Sequence, residues 1–205
     1  MTPSLNAEEA GRISQAIEQA ETNTSGELFV VVARQADDYR LVPVLWAALA
    51  ALIVAWPLHL FTTWGMGLIL TIQGFVFVLL AAALYPLKAR LRVIPPALAE
   101  DEVERAAYEQ FLSHGIHLTE ARTGVLIYVA LAEHRVEIVA DTGIAAKVEQ
   151  PEWDAIAAEI VTAAKSRDLA SGLVQAVKHS GELLARHFPP SAGDRNELPN
   201  KLVQI

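Results

Sequence analysis

Cysteine is absent from the 205 residues, so no disulfide framework, thiolate metal site or cysteine nucleophile is available. Basic residues are few: 16 Lys and Arg stand against 24 Asp and Glu, a net charge of −8. With no basic stripe to neutralise phosphates, the composition argues against a nucleic-acid partner. No G-x-S-x-G elbow, P-loop or Gly-rich dinucleotide turn occurs, and no Asp-x-Asp signature either. The most consequential absence is local. From Leu41 to Leu87 there is not one Asp, Glu, Lys or Arg, and charge resumes at once on both sides.

That stretch holds Leu41–Leu60 and Gly65–Tyr85, each about long enough to cross a ~30 Å hydrocarbon core at ~1.5 Å per residue. Phe61–Trp64 joins them, so the expectation is a tight transmembrane helical hairpin. Its polar groups, Gln73, His59 and threonines, are too few for a transport path, so the hairpin is read as an anchor. Gly65, Gly67 and Gly74 permit close helix approach, which leaves a homo-oligomer open.

Orientation follows from the flanks. Arg34 and Arg40 precede the first span, Lys88, Arg90 and Arg92 follow the second, and the turn between the spans carries neither Lys nor Arg. Both ends of the hairpin are therefore expected on the cytoplasmic side of a bacterial inner (plasma) membrane, with both termini cytoplasmic. Met1–Arg40 presents polar, acidic sequence where the apolar core of a signal peptide would stand. Lys88, Arg90 and Arg92 read as contacts to lipid headgroups. The partners expected are the bilayer and other membrane proteins.

Outside the hairpin the pattern is that of a small α/β domain. Asn6 followed by Glu9 resembles a capping box, and Ala10, Ile13, Ile17 and Ala20 recur at helical spacing to about Glu21. Leu28–Ala33 and Gly124–Ala130 are short continuous apolar runs, as in strands covered on both faces. Ala132–Arg135 reads as a turn and Val136–Asp141 as the strand returning from it. Helices are expected after Pro96 to about His114, from Pro151 to about Ala164, and from Leu169 to about His187. The fold class is thus α/β: a small mixed sheet with helices on both faces, interrupted by a two-helix transmembrane hairpin. The divisions are 1–40 and 88–188 for the two parts of the domain, 41–87 for the hairpin, and 189–205 for a flexible tail.

Ser25-Gly26-Glu27 leading into a Leu/Val strand resembles the opening strand of TPM domains. So does Arg122–Tyr128 followed by Val136–Ile144, and Trp153, Gly172-Leu173 and Arg186–Pro189 fit the ending of the family's small bacterial membrane proteins. The resemblance covers Leu5–Arg34 and Asp101–Pro189. It implies an α/β/α sandwich and, for some plant members, acid phosphatase activity and metal association. Those members are usually lumenal or periplasmic with a cleavable signal, and this chain departs from them in that respect.

Two parallel strands and a returning one bring the start of the first, the start of the second and the end of the third to one edge. Glu27, Arg122 and Asp141 stand at those points. Glu27 and Asp141 could hold a divalent cation, calcium or magnesium, with Arg122 clamping a phosphate or forming an ion pair. The same three could equally be a structural ion pair at a sheet rim. Glu149 and Asp154 are further oxygen donors nearby in sequence. His114 falls on the apolar stripe of its helix and reads as a packed histidine. The function expected is a membrane-anchored, non-catalytic binding or assembly module, the alternative being a metal-assisted phosphatase acting on phosphomonoesters.

Overall fold

Asn6 receives the N–H of Glu9 on its side chain (2.9 Å), and Glu9 accepts the N–H of Asn6 in return (2.8 Å). This reciprocal pair satisfies two of the donors that a helix start leaves open. The computed structural model, which describes residues 5–190 and 196–205, accordingly begins with α1, Ala7–Glu21. The chain divides into two compact units. One joins the residues before Asp37 to those from Glu100 onward, and the other is Asp37–Ala99.

The first unit is built on four strands: β1 (Glu27–Ala33), β2 (Gly124–Ala130), β3 (Arg135–Ala140) and β4 (Leu202–Gln204), in the order β3-β2-β1-β4. β1 and β2 pair in parallel from Glu27 opposite Gly124 to Ala33 opposite Ala130. β3 returns antiparallel to β2, with Ile127 opposite Ile138. Every residue of β1 and β2 is buried, which explains their continuous apolar runs. Each has a strand on either side and helices over both faces.

Side chains alternate across the sheet and so divide between two cores. Leu28, Val30, Val32, Val125, Ile127 and Val129 meet Ile13 and Ile17 of α1, Trp153 and Ile160 of α7 (Gln150–Lys165), and Leu173, Val177 and Leu184 of α8 (Leu169–His187). Phe29, Val31, Leu126 and Tyr128 meet Val103, Ala107 and Phe111 of α5 (Pro96–Ser113). The turn after α5 passes through Gly115, whose φ of 70° is the left-handed conformation that glycine adopts without strain. The single turn Ile116–Leu118 follows and packs so close to β2 that a Cβ on Gly124 would lie 2.5 Å from the Ile116 carbonyl oxygen.

The 189–205 tail is corrected by the structure. Its described part, Asn196–Ile205, carries β4, paired in parallel with β1 from Val30 opposite Leu202 to Val32 opposite Gln204. Ile205 donates to the Val32 carbonyl (3.1 Å), and the Ile205 carbonyl accepts from Arg34 (2.9 Å). A run of only three strand residues among prolines and polar residues carries no periodic signal. Its order comes from the edge of β1. Residues 191–195 of that expected tail, like 1–4, lie outside the described residues.

The second unit holds α2 (Leu41–Phe61), α3 (Met66–Leu84) and α4 (Leu87–Val93). α2 and α3 pack on one another, and Ala47, Ala51 and Ile69 are buried. Large apolar side chains stay outside this contact, among them Ile53, Trp56, Phe61, Phe75 and Leu79. Both helices are long and apolar enough to cross a membrane. α4 was absent from the sequence reading. Arg90 is half-buried, donates to the Asp38 carbonyl and lies over the Tyr85 ring at 5.8 Å, whereas Lys88 and Arg92, one turn apart, are exposed.

Candidate functional site

The edge of the sheet at which β1 and β2 begin is tied together through the backbone. Glu27 donates its N–H to the Thr123 carbonyl (3.0 Å) and Asp141 to the Gly124 carbonyl (2.9 Å). The Thr123 hydroxyl reaches the Ser25 carbonyl (2.9 Å). Glu27, Gly124 and Asp141 therefore stand in one row across the sheet, at the edge the sequence order implies. Two strand spacings, roughly 10 Å, separate the outer two backbones. The Ile116 carbonyl fills the space that a side chain at position 124 would take.

Each carboxylate already has work in the fold. Glu27 is 6 % exposed and accepts the N–H groups of Glu197 (3.1 Å) and Leu198 (3.3 Å), one on each oxygen. Asp141, 5 % exposed, caps the short helix α6 (Thr142–Ala145) by accepting from the Thr142 N–H at 2.6 Å. Its second oxygen, Oδ2, is buried without a hydrogen-bond partner. Arg122, at φ 56°, directs its guanidinium to the His117 carbonyl at 2.5 Å. Among the described residues it forms no ion pair with Glu27 or Asp141. Asp154 accepts from Gln150 (3.0 Å), and Glu149 occupies the residue before α7. Among the described residues, no group of three His, Asp or Glu side chains is arranged around a metal position.

The structure adds a carboxylate that sequence reasoning missed. Glu21, at the end of α1, accepts the Leu28 N–H on Oε1 (2.9 Å), and the Asn200 side chain also favours its ionised form. Burial pushes its pKa up to about 8, opposed by the Leu28 hydrogen bond and reinforced by repulsion from Glu27. Glu21 lines a cavity of about 310 Å³ with Glu18, Glu27, Thr24, Asn196 and Asn200. At helical spacing Glu21 is one more polar residue of α1, and only the chain's return through Ser25-Gly26 turns it toward β1.

Elsewhere, burial raises the Glu137 carboxyl, with Glu104, Asp154 and Glu100 adding repulsion against the opposing Arg135. Burial likewise lifts Tyr128 to about 12, helped by Glu133 and Glu109. His114 packs on Phe29 with ring centroids 4.6 Å apart, as its place on the apolar stripe implies.

Fold and site together define an α/β protein with a four-stranded mixed sheet, an apolar helical hairpin inserted between two adjacent strands, and a carboxylate-lined edge. The family model of the TPM domain matches residues 88–183. The match begins after the hairpin, yet β1, which precedes it, pairs with β2 along its whole length. The NMR structure of BA42 protein from the psychrophilic bacterium Bizionia argentinensis has the same fold: the TM-score is 0.64 at 24% identity, covering 100% of this chain and 98% of that one. No curated protein matches the chain.

Proposed function

We propose that the chain is a membrane-anchored, non-catalytic TPM module that binds or helps assemble other membrane proteins at the cytoplasmic face of a bacterial inner membrane. The observation that carries this reading is the hairpin. Its charge-free helices leave large apolar side chains such as Ile53, Trp56 and Phe61 exposed, and it is inserted between β1 and β2, neighbours in one sheet. Two spans return the chain to the side it left, so the sheet can close with both halves on one face of the bilayer. The basic flanks favour the cytoplasmic face. Lys88 and Arg92, exposed on α4, suit anionic headgroups at about 1 kcal/mol each. Glu27 and Asp141 each hold backbone N–H groups, which suits a scaffold better than a pair of catalytic groups.

A second reading has one observation in its favour, the partnerless buried Oδ2 of Asp141. In it, calcium or magnesium sits on Glu27 and Asp141, Arg122 holds phosphate, and the domain hydrolyses phosphomonoesters. One assay separates the two. The purified full chain in detergent is incubated with p-nitrophenyl phosphate and millimolar calcium or magnesium, beside Asp141→Asn and Arg122→Ala. Hydrolysis lost in both variants, with melting unchanged, overturns the binding module. No hydrolysis above the buffer rate is the result expected.

A further inference from the structure

β1 is buried at every position, as β2 is, reading Leu-Phe-Val-Val-Val-Ala after Glu27, and among the described residues its edge away from β2 is covered by residues 196–205 and, at the Leu28 N–H, by the Glu21 carboxylate. The cover itself is lightly held. Among Asn196–Ile205 only Leu198 is buried, and the ladder to β1 spans three residues. Side chains supply much of the remaining attachment. Glu27 takes the N–H groups of Glu197 and Leu198, the Ser14 hydroxyl takes that of Leu202 (3.3 Å), and Gln204 donates to the Leu5 carbonyl (3.3 Å).

These two facts pull against each other. A segment with little buried surface opens at low free energy. The edge it uncovers is a long, apolar, unpaired strand, which natural proteins do not leave bare. An open β1 must therefore recapture a strand of matching chemistry: parallel, with an apolar residue at the place of Leu198 and two consecutive N–H groups for Glu27. The same segment of another copy meets every one of those demands, contact for contact. Exchange of identical elements replaces each interaction with its equal. The association entropy that opposes it shrinks when both copies are tethered to one membrane at high effective concentration.

We infer that the β1 edge is a strand-acceptor site and that residues 196–205 exchange between two copies of this chain, joining them through β4. The inference goes beyond the binding reading and stands without any particular partner for the domain.

The absence of cysteine makes the test clean. Ser14→Cys and Leu202→Cys are made singly and together in the full chain, and oxidised in membranes. The double variant should close within one chain in copies that keep their own strap and between two chains in exchanged copies, and either closure checks that position 202 sits on α1 as described. Ser14→Cys and Leu202→Cys co-expressed in one membrane should give a disulfide-linked dimer, at least several-fold above the level from either single variant alone. Adding Glu27→Gln to both chains should loosen the strap and speed appearance of the dimer. Quantitative closure in the double variant with no dimer from the mixture overturns exchange. Failure of the double variant to close overturns the acceptor site itself.

Discussion

α3 and α8 are both 19-residue helices, and they use their apolar residues in opposite ways. α8 alternates Leu169, Leu173, Val177 and Leu184 with Gln175, Lys178 and Glu182, and the first set is buried against the sheet. α3 has no polar stripe, only Thr71 and Gln73 among apolar residues, and only Ile69 is buried. Hydrophobicity alone thus does not say which residues form a core in this chain. A stripe does, because only a helix with two kinds of face tells its neighbours from its solvent. α3 is long and apolar enough to cross a membrane, which is the physical basis of the proposed anchoring.

The largest effect should come from α8. Leu173, 0 % exposed, belongs to the core that α8 shares with α1, α7 and the sheet, and Leu173→Ala removes about 2–5 kcal/mol of stability. Denaturant unfolding of the detergent-solubilised chain measures this. A loss under 1 kcal/mol would mean the two helices are less different than they look.

The matching substitution in the hairpin should act elsewhere. Leu79 is 55 % exposed, and Leu79→Arg places a charge on the apolar face at about 2.5–3.5 kcal/mol on an insertion scale. The expected outcome is loss of the chain from alkaline-washed membranes. Unaltered membrane retention together with collapse of the α/β unit would reverse the comparison, making α3 a core helix.

The smallest effect concerns charge, which the α/β unit buries and the hairpin lacks. The Glu21 carboxyl is raised from 4.5 to about 8, so the folded chain keeps a proton that the unfolded chain releases. Its contribution is fully present below about pH 4.5 and is lost as pH rises to about 8. Glu21→Gln keeps an acceptor for the Leu28 N–H and cannot ionise. Its melting temperature, compared with that of the natural sequence, should gain steadily between those pH values and level off above them. A flat difference would mean that the cavity does not enclose Glu21.

The sequence was legible where order is local. Asn6 and Glu9 sit close enough to announce their own capping box, and Leu28–Ala33 and Gly124–Ala130 declare double-sided burial without reference to each other. From those two runs and the intervening helix came the parallel pairing, and hence the row holding Glu27 and Asp141. Direction within that row was not legible. Arg122 stands at the right edge, but its positive φ and the turn at Ile116–Leu118 carry its guanidinium to the His117 carbonyl, and a turn of three residues leaves no periodic trace. Lys88, Arg90 and Arg92 looked equivalent in sequence, yet α4 presents Lys88 and Arg92 together and engages Arg90 with Asp38 and Tyr85.

By itself, the sequence determined the apolar hairpin, the helices with a stripe, and the two central strands, because each follows from residues a few positions apart. Only the tertiary structure decided that Leu202–Gln204 is a strand, that Glu21 faces Glu27, and that Glu27 fastens residues 197 and 198. Those arrangements join residues up to 172 positions apart. A backbone N–H or a carboxylate acquires such a partner only once the sheet has brought the two ends of the chain together.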